Sequence, residues 1–319
     1  MSVTNSVVCA SNYQNKLSFT YNSDMRKSSL LLFVLAGATL TLTSSCHSVR
    51  AAEKETITIV NHDSNYSVTI DGVPQEVATR DVTPAAKFSC ISMSGPTNVT
   101  VKKGSYKVVV TGAKSIVNKI RLVSDGKTLS MEKSYPVNIE ITVPSLDCIM
   151  GSGATNISVE DGIVSNKFEI SAAGAANIRF TNLKSDNLTV ELAGGSRVSA
   201  TSITGKKFDV SISGGASISA SAVNVPTLGF SVSGGAFVQF DNINANVLEI
   251  SCSGGSRFEC KNIKTNSLNC ESSGGSNLTI GGSSSKARLQ ASGAARINAK
   301  ELKCKNVAED TSGMGAIVR

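Results

Sequence analysis

Tryptophan is absent from this chain, and aromatic residues together make up only 5% of it. A carbohydrate or nucleobase site built on stacked rings is therefore not expected. There are 2 histidines, His47 and His62, which all but excludes a His-based metal centre or a catalytic triad. No Cys-x-x-Cys pair occurs, so neither zinc nor thiol-redox chemistry finds support. No dense Lys/Arg run marks a nucleic-acid footprint. The longest apolar run falls well short of the ~20 residues that a membrane-spanning helix needs. From these absences the expectation is no catalytic residue, no metal, no cofactor and no nucleic-acid partner.

That apolar run, Leu30 to Ala36, follows Arg26 and Lys27 and is succeeded by Leu42, Thr43, Ser44, Ser45 and Cys46. A positive start, a short apolar stretch and small residues before a cleavage point are the parts of a secretory signal. The ending resembles a relaxed bacterial lipobox. That resemblance implies that Cys46 is the lipidated first residue of the mature chain, anchoring it to the outer membrane on its periplasmic or surface side. Cleavage near Ala51 and Ala52 is the other reading. Residues 1–24 are polar and fit no signal, which favours Met25 over Met1 as the start. Residues 1–45 are thus read as an upstream extension and signal peptide. From residue 46 onward 28 basic and 23 acidic residues remain, a net charge of +5 that reads as spread along the chain.

Glycine carries the organisation, with 27 in 319 residues. A small-Gly-small signature recurs at Gly153, Gly174, Gly194, Gly214, Gly234, Gly254, Gly274, Gly293 and Gly313, every 19 to 21 residues. Between these glycines apolar and polar residues alternate as in strands. Apolar columns lie six and four residues before the Gly (Phe208, Leu228, Leu248; Val210, Phe230, Ile250). Others lie four and nine after it (Val198, Ile218, Val238; Ile203, Val223, Ile243). A unit this short cannot bury such a face alone, but stacked units about 4.8 Å apart pair their strands and enclose a core. The pattern predicts an all-β chain, a right-handed parallel β-helix (β-solenoid) of about 20 residues per coil. Nine coils would make a rod roughly 43 Å long. A propeller blade needs about 40 residues, twice this period. Residues 84–152 read as irregular coils and 153–319 as regular ones. Residues 46–83 read as a small β-rich segment that caps the first coil.

Residues Phe88 to Gly95, Asp125 with Gly126 and Leu129, Ile141 to Pro144 with Leu146, and the serial Ser-Gly-Gly coils resemble the autotransporter adhesin head GIN domain family. The resemblance covers about 84–319. It implies a right-handed β-helix on the cell envelope of a Gram-negative bacterium, and it brings no catalytic residues with it.

Two outward columns carry the candidate chemistry. The first, three residues after each Gly, holds Asn177, Arg197, Phe237, Arg257 and Arg296, a candidate contact face for a glycan or protein ligand or simply a solvated surface. The second, five before each Gly, holds Glu169, Asp209 and Glu249. Two coils at about 4.8 Å place consecutive members about 9.6 Å apart, near the upper limit for the carboxylate pair of an inverting glycosidase. Yet no aromatic or Arg clamp sits beside them, and the coils leave no room for cleft-building loops. Among the cysteines, Cys252, Cys260 and Cys270 replace aliphatic residues in inward columns. They read as small buried hydrophobes, with a Cys252–Cys270 disulfide as the alternative. Cys90 and Cys148 share an offset and would pair if their coils adjoin. The reading is a non-catalytic adhesion or interaction scaffold tethered to the membrane by an N-terminal lipid anchor. The alternatives are a polysaccharide-active enzyme and a structural periplasmic component whose last coil, open at Arg319, self-associates end to end.

Overall fold

The computed structural model describes residues 16–21, 55–62, 65–160 and 164–319. The segment read as a signal peptide and the expected lipidation site Cys46 lie outside the described residues, as does most of the segment read as an upstream extension. The chain divides into two units, Met1–Val77 and Ala78–Arg319. In the first, Lys16–Tyr21, Glu55–His62, Asn65–Ile70 and Val73–Pro74 form a four-stranded antiparallel sheet. Asp71 and Gly72 both have positive φ in the tight turn before the last strand, as a primed hairpin turn requires. Lys16–Tyr21 lies within the segment read above as an upstream extension.

The second unit is a β-solenoid of about eight turns with roughly 20 residues per coil. One coil shows how the sequence closes it. Along Phe237–Cys252 burial alternates strictly except at two places, Asp241 with Asn242 and Asn246 with Val247, where two successive side chains point outward. Each doublet resets the pleat and turns the chain, and the Gly254 corner makes the third bend. The core columns four and nine after a Gly are an odd number of residues apart, so an unbroken strand would face them oppositely. The corner between them is what brings both inside.

Register is kept from coil to coil. Val190, Val210, Phe230, Ile250, Cys270 and Leu289 are successive parallel partners, and all are buried. Aromatics cluster mid-rod, where Phe230 lies 6.1 Å from Phe208, 5.4 Å from Phe240 and 5.2 Å from Phe258 between ring centroids. The corner glycines have φ of 65° to 72°, and a Cβ on Gly234 would sit 2.9 Å from the carbonyl oxygen of Gly214. Both the left-handed backbone and the close stacking therefore demand glycine.

The upstream coils stack out of sequence order. Thr128–Met131 and Asn138–Val143 lie against Cys90–Ser94 and Asn98–Lys103, which in turn lie against Cys148–Ser152 and Asn156–Val159. The coil nearest the N-terminal end is thus the later one in sequence. Its edge is covered by the antiparallel strand Lys107–Ala113, which also pairs with Val77–Asp81. The adjoining short helix Lys114–Val117 buries Ile116 and Val117. Within this unit the edge of that coil is thus covered by chain inserted between coils.

At the other end the inward columns turn polar. Glu309 is the register partner of Leu289, and Thr311 of Ala291. Arg319 Nη1 lies 3.1 Å from Glu309 Oε1, and Nη2 donates to the Cys304 carbonyl at 3.4 Å. The last coil, read as open at Arg319, carries this ion pair.

Candidate contact face

The coil register decides which side chains share a face. Asn177, Arg197, Ser217, Phe237, Arg257, Asn277 and Arg296 are successive partners, one column along the rod. The three arginines are exposed, whereas Asn177 and Phe237 are half-buried between their column neighbours. Arg197 Nε donates to Ser217 Oγ at 3.3 Å. The column extends further than the 20-residue spacing shows. Asn138, Asn98 and Asn156 continue it beyond Asn177, with side-chain amides bonded head to tail at 3.0, 3.1 and 3.5 Å. Because those coils stack out of order, their asparagines are 40 and 58 residues apart, and no fixed period reveals them.

The acidic residues also fall in one outward column: Glu169, Thr189, Asp209, Gly229, Glu249, Asn269 and Arg288. Two of its carboxylates are already engaged, Glu169 with Lys167 at 2.8 Å and Asp209 with Lys207 at 2.6 Å. The hydrogen bond from Lys167, reinforced by its charge, holds the Glu169 carboxyl below the usual carboxylate range. A glycosidase general acid needs the opposite shift, toward a proton retained near neutrality. The geometry sets up solvated ion pairs on a sheet rather than an acid facing a base.

The corners carry further neutralised charges. Lys206 pairs with Asp186 at 2.8 Å, and Lys261 with Asp241 at 3.1 Å, each across one coil. Near the C-terminal end this pattern stops. An open groove of about 740 Å³ is lined by Ser267 to Asn269, Lys286 to Arg288 and Lys305 to Ala308. The charge is not evenly spread as the sequence reading had it. Residues 153–282 hold nine basic and ten acidic residues, whereas 283–319 hold seven basic and three acidic, net +4. Counting charge coil by coil would have exposed this bias, which the whole-chain total conceals.

Cysteine chemistry divides in two. Cys90 and Cys148, register partners on adjoining coils with Cα atoms 4.6 Å apart, form a disulfide. Cys252, Cys260 and Cys270 are buried free thiols, so the alternative Cys252–Cys270 bond is not formed. Burial pushes Cys252 up to about 11 and Cys260 up to about 12, and raises Cys270 as well. They act as small core hydrophobes. Cys304, which the sequence reading left unplaced, is partly exposed.

Solved structures of similar fold include a putative lipid binding protein from Parabacteroides distasonis, 13% identical over 76% of this chain and 97% of that one, TM-score 0.53. A putative adhesin from the same organism is 14% identical over 74% and 97%, TM-score 0.54. A putative adhesin from Parabacteroides merdae is 13% identical over 76% and 97%, TM-score 0.52. At these identities the likeness establishes the fold alone. No curated protein matches the chain in sequence. The family model described as "Putative auto-transporter adhesin, head GIN domain" matches residues 87–241 and 223–318, nearly the whole solenoid. The chain belongs to that head GIN domain family.

Proposed function

We propose that this protein is an exported, non-catalytic adhesin-like scaffold of the cell envelope, a stiff rod that offers repeated polar columns to a ligand. The observation that carries this reading is the continuous outward column from Asn138 to Arg296, held at coil spacing by parallel register. Weak contacts repeated along a rigid support add up without any single deep pocket, because later contacts form at high effective concentration. Membership of an adhesin-like family supports a place in the envelope. So does the Cys90–Cys148 disulfide, since such bonds persist in oxidising compartments. Lipidation at Cys46 and attachment to the outer membrane complete the proposal on the strength of the signal sequence. The engaged carboxylates at Glu169 and Asp209 favour binding over hydrolysis. The polar last coil disfavours end-to-end stacking, which would bury Glu309 and Arg319 away from water.

The test is a binding screen of the purified chain against arrayed host glycans and matrix proteins, with Arg197→Ala/Arg257→Ala as the face variant. Retention that the double variant abolishes supports the reading. Silence across the panel, or release of sugars from any polymer, contradicts it.

A further inference from the structure

The groove at the C-terminal coils is distinct from the column just described. It lies on the face that carries Glu169 and Asp209 further along the rod, and three cations line it: Lys286, Arg288 and Lys305. Each occupies a scaffold position at which an upstream lysine is neutralised or a carboxylate stands. Lys286 is in the column of Lys167 and Lys207, which pair with the carboxylates two residues ahead at Glu169 and Asp209. Two residues ahead of Lys286 stands Arg288, in the carboxylate's own column. Lys305 lies at the corner of Lys206, which pairs with Asp186 in the preceding coil, whereas the coil before Lys305 offers Ser285. The scaffold that cancels charge upstream leaves it uncancelled here. The three cations are exposed, and among the described residues none of them has a carboxylate within ion-pair distance.

We propose that this groove binds an acidic polysaccharide, its carboxylates held by Lys286, Arg288 and Lys305 around the exposed Ala308, the register partner of Arg288. Along one strand Lys286 and Arg288 are about 6.6 Å apart, and Lys305, one coil on and one residue back, lies about 5.8 Å from Lys286. Cations this close suit a chain bearing a charge on successive residues, and the guanidinium of Arg288 can take a carboxylate in a two-bond fork. The groove is open along its length and the inner columns are filled by side chains, so an acyl chain has no enclosure to enter. The disulfide favours a compartment in which the polyanion is a polysaccharide rather than a nucleic acid. With no Trp, and no aromatic in the groove, recognition rests on charge instead of ring stacking. The inference rests on the scaffold reading and names one ligand class for it.

The experiment is biolayer interferometry of the full chain against immobilised alginate, neutral dextran and poly-L-glutamate across a salt series. Binding to alginate that falls with salt is expected, with none to dextran. Arg288→Asp rebuilds the Lys207–Asp209 arrangement at this site and should weaken alginate binding at least tenfold. Lys264→Asp makes the same charge change on another face and should leave it within twofold. Equal losses in the two variants, or no alginate binding by the unmodified chain, would overturn the proposal. Tighter binding to poly-L-glutamate than to alginate would assign the groove to acidic peptides and overturn it too. A chain that fails here but retains a neutral glycan or a matrix protein through the Arg197–Arg257 column leaves the scaffold reading intact.

Discussion

Phe230 and Phe237 lie seven residues apart on either side of the Gly234 corner, and the coil geometry gives them opposite fates. Phe230 points inward, is 4% exposed, and touches the rings of Phe208, Phe240 and Phe258. Truncating a buried Phe to Ala costs about 3–5 kcal/mol, the sum of lost transfer energy and the cavity left behind. Three aromatic neighbours place Phe230→Ala at the upper part of that range, because edge-on ring contacts contribute beyond their area. Phe230→Leu keeps most of the volume and should cost less than about 1.5 kcal/mol. Phe237→Ala removes a half-buried ring from the outer column and should cost about 1 kcal/mol or less. Urea unfolding followed by circular dichroism of the β signal separates these cases. At an m-value of about 2 kcal/mol/M, Phe230→Ala moves the midpoint down by roughly 2–2.5 M, and Phe237→Ala by no more than about 0.5 M. Equal shifts for the two alanine variants would mean that the inward and outward columns are misassigned, and the reasoning would fail.

The corner glycines give a second contrast. Gly234→Ala forces a side chain into φ of 72° and against the Gly214 carbonyl, and should cost about 1–3 kcal/mol in the same urea assay. Gly229→Ala meets only Asp209 Oδ1 at 3.4 Å and should be neutral or slightly stabilising. Replacing both Cys90 and Cys148 by Ser opens a 58-residue separation and, by chain entropy, should lower stability by about 4 kcal/mol. An unchanged urea midpoint in the non-reduced variant would refute that. The three buried thiols set an alkaline limit. Burial raises the Cys252 and Cys260 pKa from 9.0 in the unfolded chain to about 11 and about 12, so their contribution is whole below pH 9. It is lost as pH rises through those folded values. Stability should therefore fall between pH 9 and 12, and a thiol reagent at neutral pH should label Cys304 but spare Cys252, Cys260 and Cys270 until urea is added.

The period of the glycines made the solenoid legible, since a fixed return every 20 residues has few physical solutions. The inward columns of the regular coils were equally plain, because like residues must stack on like in a shared core. The upstream region hid its order: chain inserted as the strand and helix at 107–117 reverses the stacking of the coils around Cys90 and Thr128. No local pattern encodes such an exchange. For the same reason the Asn138–Asn98–Asn156 ladder was invisible, although Asn177 at its end was found. The groove at Lys286, Arg288 and Lys305 escaped because its meaning depends on which carboxylates are missing beside it. Seeing that requires comparing each coil with the one before. Glu169, Asp209 and Glu249 share one outward column, but Lys167 and Lys207, two residues back on the same side, were not weighed with it.

Register is the claim from which the columns, the groove and the contact face all follow, and a cysteine cross-link measures it directly. In a Cys304→Ser background, Ser199→Cys with Ser219→Cys places two thiols on register partners, the relation in which Cys90 and Cys148 already bond with Cα atoms 4.6 Å apart. Ser199→Cys with Ser217→Cys shifts one thiol by two residues along the strand. Its Cα atoms are then about 8 Å apart, beyond the ~7 Å that a disulfide spans. Mild oxidation followed by peptide mass spectrometry should find the first pair cross-linked and the second reduced. Cross-linking of the second pair in preference to the first would contradict the account.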